Sequence, residues 1–244
     1  MKLGIFGFPV RHSLSPKMQT AALRAVGLDW TYELIEIGPE AFTLAKLREP
    51  DWRGANVTIP HKETAWHLCD TRTVDAAAIG AVNTIVVEKN QLIGHNTDAP
   101  GFLDVVGDVK SRVCAVLGAG GSARAVEWAL LGAGAGEVRV IRRTNWTAEA
   151  IEACDLVVGC VPPDAEPPPL DRVAPDARII DLVYYQKSAL ATAARKRGLQ
   201  YEDGLEVLVR QGARSFELWT GKTAPLEVMR EAVRHAKDRQ LEPS

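Results

Sequence analysis

The sequence predicts an α/β protein in two parts: an N-terminal α/β domain, then a doubly wound parallel sheet. Two observations carry this expectation. Short apolar runs alternate with longer helix-like patterns from end to end, as strands alternating with helices do. One of those runs, Arg112 to Leu117, is apolar almost without a break and opens into the turn Gly118-Ala119-Gly120-Gly121-Ser122-Ala123. A strand with no polar face is one covered by helices on both sides.

Taken in order, Leu3 to Gly7 reads as a strand, and Pro16 to Val26 as a helix with Ser15 at its N-cap and Pro16 in its first turn. Thr31 to Ile37 alternates with period two, the mark of a strand, and Phe42 to Leu47 reads as a short helix. Gly54 to Ile59 is a strand stopped by Pro60, with a helix starting near His61. Thr84 to Val87 and Leu92 to Ile93 form a hairpin around Lys89-Asn90-Gln91. After the Arg112–Leu117 strand, the glycine turn leads into a helix ending near Leu131. Val138 to Ile141, Leu156 to Gly159 and Arg178 to Asp181 are three further strands. The proline-rich stretch 162–169 is a stiff connector. Leu205 to Leu218 and Pro225 to Lys237 close the chain as helices.

Composition narrows the function classes. The chain has 244 residues, enough for one large domain or two small ones with real cores. Its 29 basic and 31 acidic residues leave a net charge of -2, which gives no electrostatic reason to expect nucleic acid or an acidic membrane as partner. No stretch approaches the roughly 18 apolar residues of a membrane span. The N-terminal MKLGIFGFPV is a short apolar run that suits a core strand better than a signal peptide. Cys69, Cys114, Cys154 and Cys160 form no C-x-x-C pair, and a chain of this size needs no disulfide staples, so a cytoplasmic protein is expected. His12, His61, His67, His95 and His235 show no H-x-x-x-H spacing, so no metal is expected.

Gly118, Gly120 and Ala123 make a G-x-G-x-x-A run between a strand and a helix, the context in which that pattern has meaning. Gly118 permits the tight turn, Gly120 lets backbone approach a pyrophosphate, and Ala123 keeps the helix close to the sheet. The N–H groups of the helix start, around Gly121 and Ser122, face the phosphates. This is the fingerprint of a Rossmann-type nucleotide domain. An acid at the end of the second strand would favour NAD, but Glu137 precedes that strand. Arg142-Arg143-Thr144 follow it, and two guanidiniums with a hydroxyl suit the 2′-phosphate of NADP.

The N-terminal part is dense in short polar motifs at strand ends. His12-Ser13-Leu14-Ser15-Pro16 opens a helix and offers two hydroxyls beside backbone N–H groups, a cradle for a carboxylate. Asn56-Val57-Thr58-Ile59-Pro60-His61-Lys62 sets Thr58 and Lys62 just past a strand. Gly80-Ala81-Val82-Asn83-Thr84 and Asn96-Thr97-Asp98 add an amide and a carboxylate.

Together these motifs, the GAGGSARAV turn and the late Asp203-Gly204-Leu205 and Gln211-Gly212-Ala213 resemble the shikimate dehydrogenase family, in that family's order and over essentially the whole chain. The resemblance implies a discontinuous substrate-binding catalytic domain (1–99 and 204–244) and a Rossmann-type NADP-binding domain (100–203), with the site in a cleft between them. It implies reversible NADPH-dependent reduction of 3-dehydroshikimate to shikimate, in chorismate and aromatic amino-acid biosynthesis, by a monomer or homodimer. Ser13 and Ser15 would hold the substrate carboxylate with Tyr184 nearby, while Thr58, Asn83, Asp98 and Gln211 would hydrogen-bond the ring hydroxyls. Lys62 and Asp98 would form the catalytic pair. Gly118 to Ser122, Arg142 to Thr144, Leu182 and Gly204 would hold the cofactor. The pairing makes chemical sense by itself, because reducing a ketone needs a hydride at carbon and a proton at oxygen, and the reverse needs a general base. The chain departs from the family's pattern at Arg142, where an asparagine is usual, and at Cys160-Val161-Pro162, where Ala-Thr-Pro is common. Two alternatives stay open: a quinate/shikimate dehydrogenase with relaxed substrate or NAD use, and a non-catalytic metabolite-binding paralogue.

Overall fold

The structure, a computed structural model, describes residues 1–241, including every side chain in that range except those of residues 143 and 238–241. The chain divides into two compact units, Met1–Gly101 with Leu208–Ser244, and Phe102–Val207.

The first unit is built on a six-stranded sheet. Its strands are β1 (Lys2–Gly7), β2 (Thr31–Glu36), β3 (Gly54–Val57), β4 (Thr71–Arg72), β5 (Thr84–Glu88) and β6 (Gln91–His95). Their order is β2-β1-β3-β5-β6-β4, parallel across β2-β1-β3 and antiparallel across β3-β5-β6. The helices here are α1 (Ser15–Ala25), α2 (Lys62–Leu68) and α3 (Val74–Ile79). Phe6, Leu47, Trp52, Val57, Val82, Ile85 and Leu92 form the core, all essentially inaccessible to water. Each such large side chain contributes about 1.5–3 kcal/mol by leaving solvent.

α4 (Asp98–Val106) and α7 (Leu205–Thr220) carry the chain out of this unit and back into it, and α8 (Leu226–Leu241) follows, packed on α1. Gly101 of α4 lies so close to α7 that a Cβ there would sit 2.6 Å from the backbone nitrogen of Gln211. Gly212 faces α1 in the same way, where a Cβ would overlap Met18 Cε. These glycines let three helices meet at backbone distance.

The second unit is a five-stranded, wholly parallel sheet: β7 (Val113–Leu117), β8 (Glu137–Ile141), β9 (Leu156–Gly159), β10 (Arg178–Asp181) and β11 (Gln200–Asp203). The order β11-β10-β9-β7-β8 reverses direction between β7 and β9. A crevice at that switch point, beyond the carboxyl ends of the strands, is where open α/β sheets bind ligands. β7 and β9 are buried on both faces, as the unbroken apolar runs require. α5 (Gly121–Gly132) follows β7, and α6 (Ala189–Lys196) precedes β11, capped by the Ser188 hydroxyl, which accepts from Ala191 N.

Several local expectations need correction. Ser15 is the first residue of α1, not its cap; Leu14 holds the cap position and offers no side-chain acceptor. Phe42 to Leu47 is not one helix: residues 42–44 link two 3-10 turns, Pro39–Ala41 and Ala45–Arg48, and Ala45 to Leu47 belong to the second. Phe42 is extended there, and the Thr43 hydroxyl takes the N–H of Ala45, the competition by which threonine disfavours helix. β3 stops at Val57, two residues short. The strand–helix alternation also thins: β8 to β9 and β9 to β10 are linked by 3-10 turns alone, in segments that are short or proline-rich. β4, α3, α4, α6 and β11 were not expected from the pattern of the sequence.

Candidate active site

In the first unit the ends of β1, β3 and β6, the residue before β5 and the starts of α2 and α4 converge. Backbone bonds set the register: Thr58 N donates to Phe6 O at 2.9 Å, Val57 N to Asn83 O at 2.8 Å, Asn83 N to His95 O at 3.1 Å and Val82 N to Lys62 O at 2.9 Å. Lys62 therefore starts α2 while tied to the strand that presents Asn83. Its ammonium donates to Asp98 Oδ2 at 2.6 Å, with side-chain exposures of only 10% and 17% for the pair. Asp98 sits in the first turn of α4, where the helix dipole favours a carboxylate.

Asn83 is 2% exposed. Its Nδ2 reaches three acceptors, Asp98 Oδ1 at 2.8 Å, Thr97 Oγ1 at 2.9 Å and Gln211 Oε1 at 3.2 Å. Gln211, on α7, is itself held by its Nε2 donating to Leu208 O at 2.8 Å. Lys62, Asn83, Asp98 and Gln211 thus form one connected group. Ser13 accepts a bond from Ser15 N at 3.2 Å, and Ser15 is buried. Gln19, one turn beyond Ser15, clamps α1 to α7 through Gly212 O at 2.8 Å. Thr58 is half-buried just past β3.

Three histidines border these elements, each held below its ordinary pKa mainly by burial: His12, His61 and His95. His61 stacks flat on Phe42 at 4.1 Å and bonds Ile37 O through Nε2, which marks it as a packing residue. Among the described residues no group of three or more His, Cys, Asp or Glu is placed to hold a metal ion.

In the second unit the glycine turn lies at the switch point. Gly118 has φ +119°, and a Cβ there would sit 2.8 Å from Cys160 O, so only glycine fits between the ends of β7 and β9. Gly120 caps α5 with no side-chain acceptor and open space where a Cβ would be, and Ala123 is buried against the sheet. Ala119 is exposed, and Gly121 and Ser122 form the first turn of α5. Helix-start N–H groups beside open space can take an anionic oxygen. Arg142 and Thr144 are exposed beyond the carboxyl end of β8, where Asn145 Oδ1 accepts from Arg142 N at 2.6 Å. The side chain of Arg143 lies outside those described. Glu137 starts β8 and pairs with Arg139 at 2.9 Å, so it is at the far end of the strand from the turn. Gly204 approaches Leu182 so closely that a Cβ would overlap its carbonyl oxygen. Tyr184 belongs to this unit, half-buried after β10, its ring edge-on to Tyr185 at 5.7 Å.

The sequence reading missed the layer behind the polar group. Asn56, Thr84, Thr97 and Ser215 are all buried and bonded to one another. Asn56, Thr84 and Thr97 stood inside the quoted motifs, so a polar residue in an otherwise apolar strand was the available signal. Ser215, one helical turn after Gln211, gave none.

A parallel sheet with a glycine turn at its switch point is the architecture of dinucleotide-binding domains, and a buried lysine–carboxylate pair in the same chain is what a nicotinamide-nucleotide oxidoreductase needs for its proton transfer. Comparison with known proteins is more specific. Residues 5–85 match the model of the shikimate dehydrogenase substrate binding domain, and residues 204–234 that of the shikimate 5'-dehydrogenase C-terminal domain. The shikimate dehydrogenase (NADP(+)) of Methanopyrus kandleri is 38% identical, over 95% of this chain and 94% of that protein. The crystal structure of shikimate 5-dehydrogenase from Thermus thermophilus in complex with NADP(H) and shikimate superposes with a TM-score of 0.86 at 36% identity, covering 97% of this chain and 99% of that one. Ligand-free 5-ketofructose reductase of Gluconobacter sp. strain CHM43 shares the fold at TM-score 0.79 and 27% identity, covering 97% and 98%. This chain belongs to the shikimate dehydrogenase family.

Proposed function

We propose that the chain catalyses the reversible NADPH-dependent reduction of 3-dehydroshikimate to shikimate, a step of aromatic amino-acid biosynthesis. The observation that carries this is the 2.6 Å contact of Lys62 with Asp98, joined through Asn83 to Gln211. A ring alcohol losing a hydride must also lose its proton. A lysine oriented by a carboxylate can serve both directions: its neutral amine takes that proton as the alcohol is oxidised, and its ammonium returns it to the ketone oxygen in the reduction. Lys62 holds and moves the proton at the reacting oxygen, and Asp98 orients Lys62 while accepting from a ring hydroxyl. Asn83, Gln211 and Thr58 bind further hydroxyls, and Ser13 and Ser15 bind the carboxylate; Tyr184 is a further residue for the substrate. A site that bonds each hydroxyl rejects analogues lacking one, because its own buried groups are then left unpaired.

The second unit fits NADP. The Gly118–Ser122 turn would hold the pyrophosphate, Arg142, Arg143 and Thr144 the 2′-phosphate, and Leu182 and Gly204 the rest of the cofactor. When bound, the nicotinamide supplies or accepts the hydride. The domain roles follow: residues 1–99 with 204–244 for substrate and catalysis, 100–203 for NADP. Among the described residues no helix is long and apolar enough to cross a membrane, and no disulfide joins Cys69, Cys114, Cys154 or Cys160. A cytoplasmic monomer or homodimer suits these features.

Nicotinamide absorbance with shikimate or quinate, and with NADP or NAD, tests the reading. It predicts turnover with shikimate and NADP at a kcat/KM far above the other three pairings. Comparable rates on quinate or with NAD would make this a relaxed quinate/shikimate enzyme. Binding of shikimate without turnover would make it a metabolite sensor.

A further inference from the structure

Behind Asn83 lie three hydroxyls within mutual reach. Thr84 Oγ1 is 2.8 Å from Ser215 Oγ and 3.1 Å from Thr97 Oγ1, and Thr97 Oγ1 is 3.1 Å from Ser215 Oγ. All three residues are at most 3% exposed. They come from three elements that the fold brings together: β5, the segment before α4, and α7. Asn56 on β3 donates into the triangle from the far side, to Thr84 Oγ1 at 3.1 Å and Ser215 Oγ at 3.0 Å. Tyr32 on β2 fixes that amide by donating to Asn56 Oδ1 at 2.7 Å.

The polarity of this network decides which way Asn83 faces. Thr97 N donates to Asn83 Oδ1 at 2.7 Å, and a backbone N–H cannot accept. Asn83 Oδ1 must therefore point to Thr97 N and the Thr84 hydroxyl, which leaves Nδ2 to face Asp98, Gln211 and Thr97 Oγ1. The opposite orientation would set a carbonyl oxygen against the Asp98 carboxylate. Nδ2 has two hydrogens for its three neighbours, so it cannot satisfy all of them fully at once. The more firmly its oxygen end is held, the more steadily a hydrogen is presented to Asp98 Oδ1, leaving Oδ2 to Lys62. Ser215 adds a second constraint, because it donates to Gln211 O at 3.1 Å and so joins the triangle to the backbone that carries Gln211.

We propose that Ser215, together with Thr84, whose hydroxyl donates to Asn83 Oδ1 at 3.1 Å, is a positioning group that locks the Asn83 amide so that the Lys62–Asp98 pair is held in its reactive orientation. Neither of these two hydroxyls needs to touch substrate. Each acts through Asn83, and the proposal rests on the reading of the site given above.

The test is a double-mutant cycle with kinetics and thermal unfolding on the full-length protein. Ser215→Ala and Thr84→Val remove one hydroxyl each. Each is expected to lower kcat for shikimate oxidation about tenfold while the KM for NADP stays within twofold. Thr84→Ser keeps the hydroxyl and is expected to recover kcat to within threefold of the parent. In an Asn83→Ala background Ser215→Ala should cost less than a further twofold, because there is no longer an amide to orient. A full tenfold loss in that background overturns the proposal, as does a variant whose melting temperature falls while kcat stays unchanged. If Ser215→Ala does not fold, the Thr84 pair decides the matter alone: equal kcat for Val and Ser overturns it. A parent protein with no activity on shikimate would overturn the reading of the site, and the proposal with it. An active parent with independent, multiplicative losses overturns only the hydroxyl group's role.

Discussion

Replacing Gly101 by alanine adds one methyl at the meeting of α4 and α7. That methyl would lie 2.6, 2.7 and 2.8 Å from the backbone N, Cα and Cβ of Gln211. Ordinary contacts begin near 3.4 Å, and the obstacle is mostly backbone, so the helices must part by most of an ångström. Overpacking of this kind costs about 1–3 kcal/mol, and the upper end applies where no side chain can swing away. Alanine returns about 1 kcal/mol as the better helix former, for a net loss of about 2 kcal/mol. In a chain of this size that lowers the melting temperature by roughly 4–8 °C. The functional effect is specific. The Asn83–Gln211 bond is already long at 3.2 Å and breaks first, while Asp98 heads the displaced helix. Loss of one such bond is worth about 1 kcal/mol, or roughly fivefold in the KM for shikimate. Steady-state kinetics with each substrate varied, beside a melting curve, measures both. An unchanged melting temperature with an unchanged shikimate KM would refute the packing argument, and an equal rise in the NADP KM would refute its locality.

Gly118→Ala has the complementary outcome, because φ +119° and the 2.8 Å approach of Cys160 O both forbid a side chain. The KM for NADP should rise at least about tenfold, with shikimate binding by calorimetry unchanged. Acid should destabilise the fold through its histidines. His12, His61 and His95 have folded pKa values below the ordinary 6.5, so the unfolded chain takes up protons first as pH falls through that value. Their contribution is complete above about pH 6.5 and is lost below it. Asp181, its pKa raised by burial, works the other way at lower pH. The melting temperature should drop between about pH 7.5 and 5.5, and less so in a His61→Gln, His95→Gln double variant; an identical drop would contradict the assignment.

Where the chain's own chemistry was local, the structure could be read from the residues. The unbroken apolar run of β7 and the glycines after it located the glycine turn at the sheet's switch point. Arg142 and Thr144 fell beyond the right end of β8 because a parallel strand's direction follows from the turn before it. What failed depended on distant partners. α4 and α6 are short helices whose apolar stripes make sense only against neighbours, and Phe42 to Leu47 looked helical because Thr43's competing bond is not visible in a hydrophobic pattern. Asn83 was found by its motif, but Ser215 behind it is far away along the chain, and nothing in the intervening sequence says the two share a bonded cluster.

The central claim is that Lys62, oriented by Asp98, handles the proton of the reacting alcohol. Lys62→Met keeps most of the side chain's bulk and removes the proton carrier. Measured under saturating shikimate and NADP, its kcat should fall at least about a hundredfold, the lower bound for losing a general acid–base group, with both ligands still binding within a few-fold of the parent. A folded Lys62→Met protein that binds both ligands and turns over at near the parental rate would contradict it.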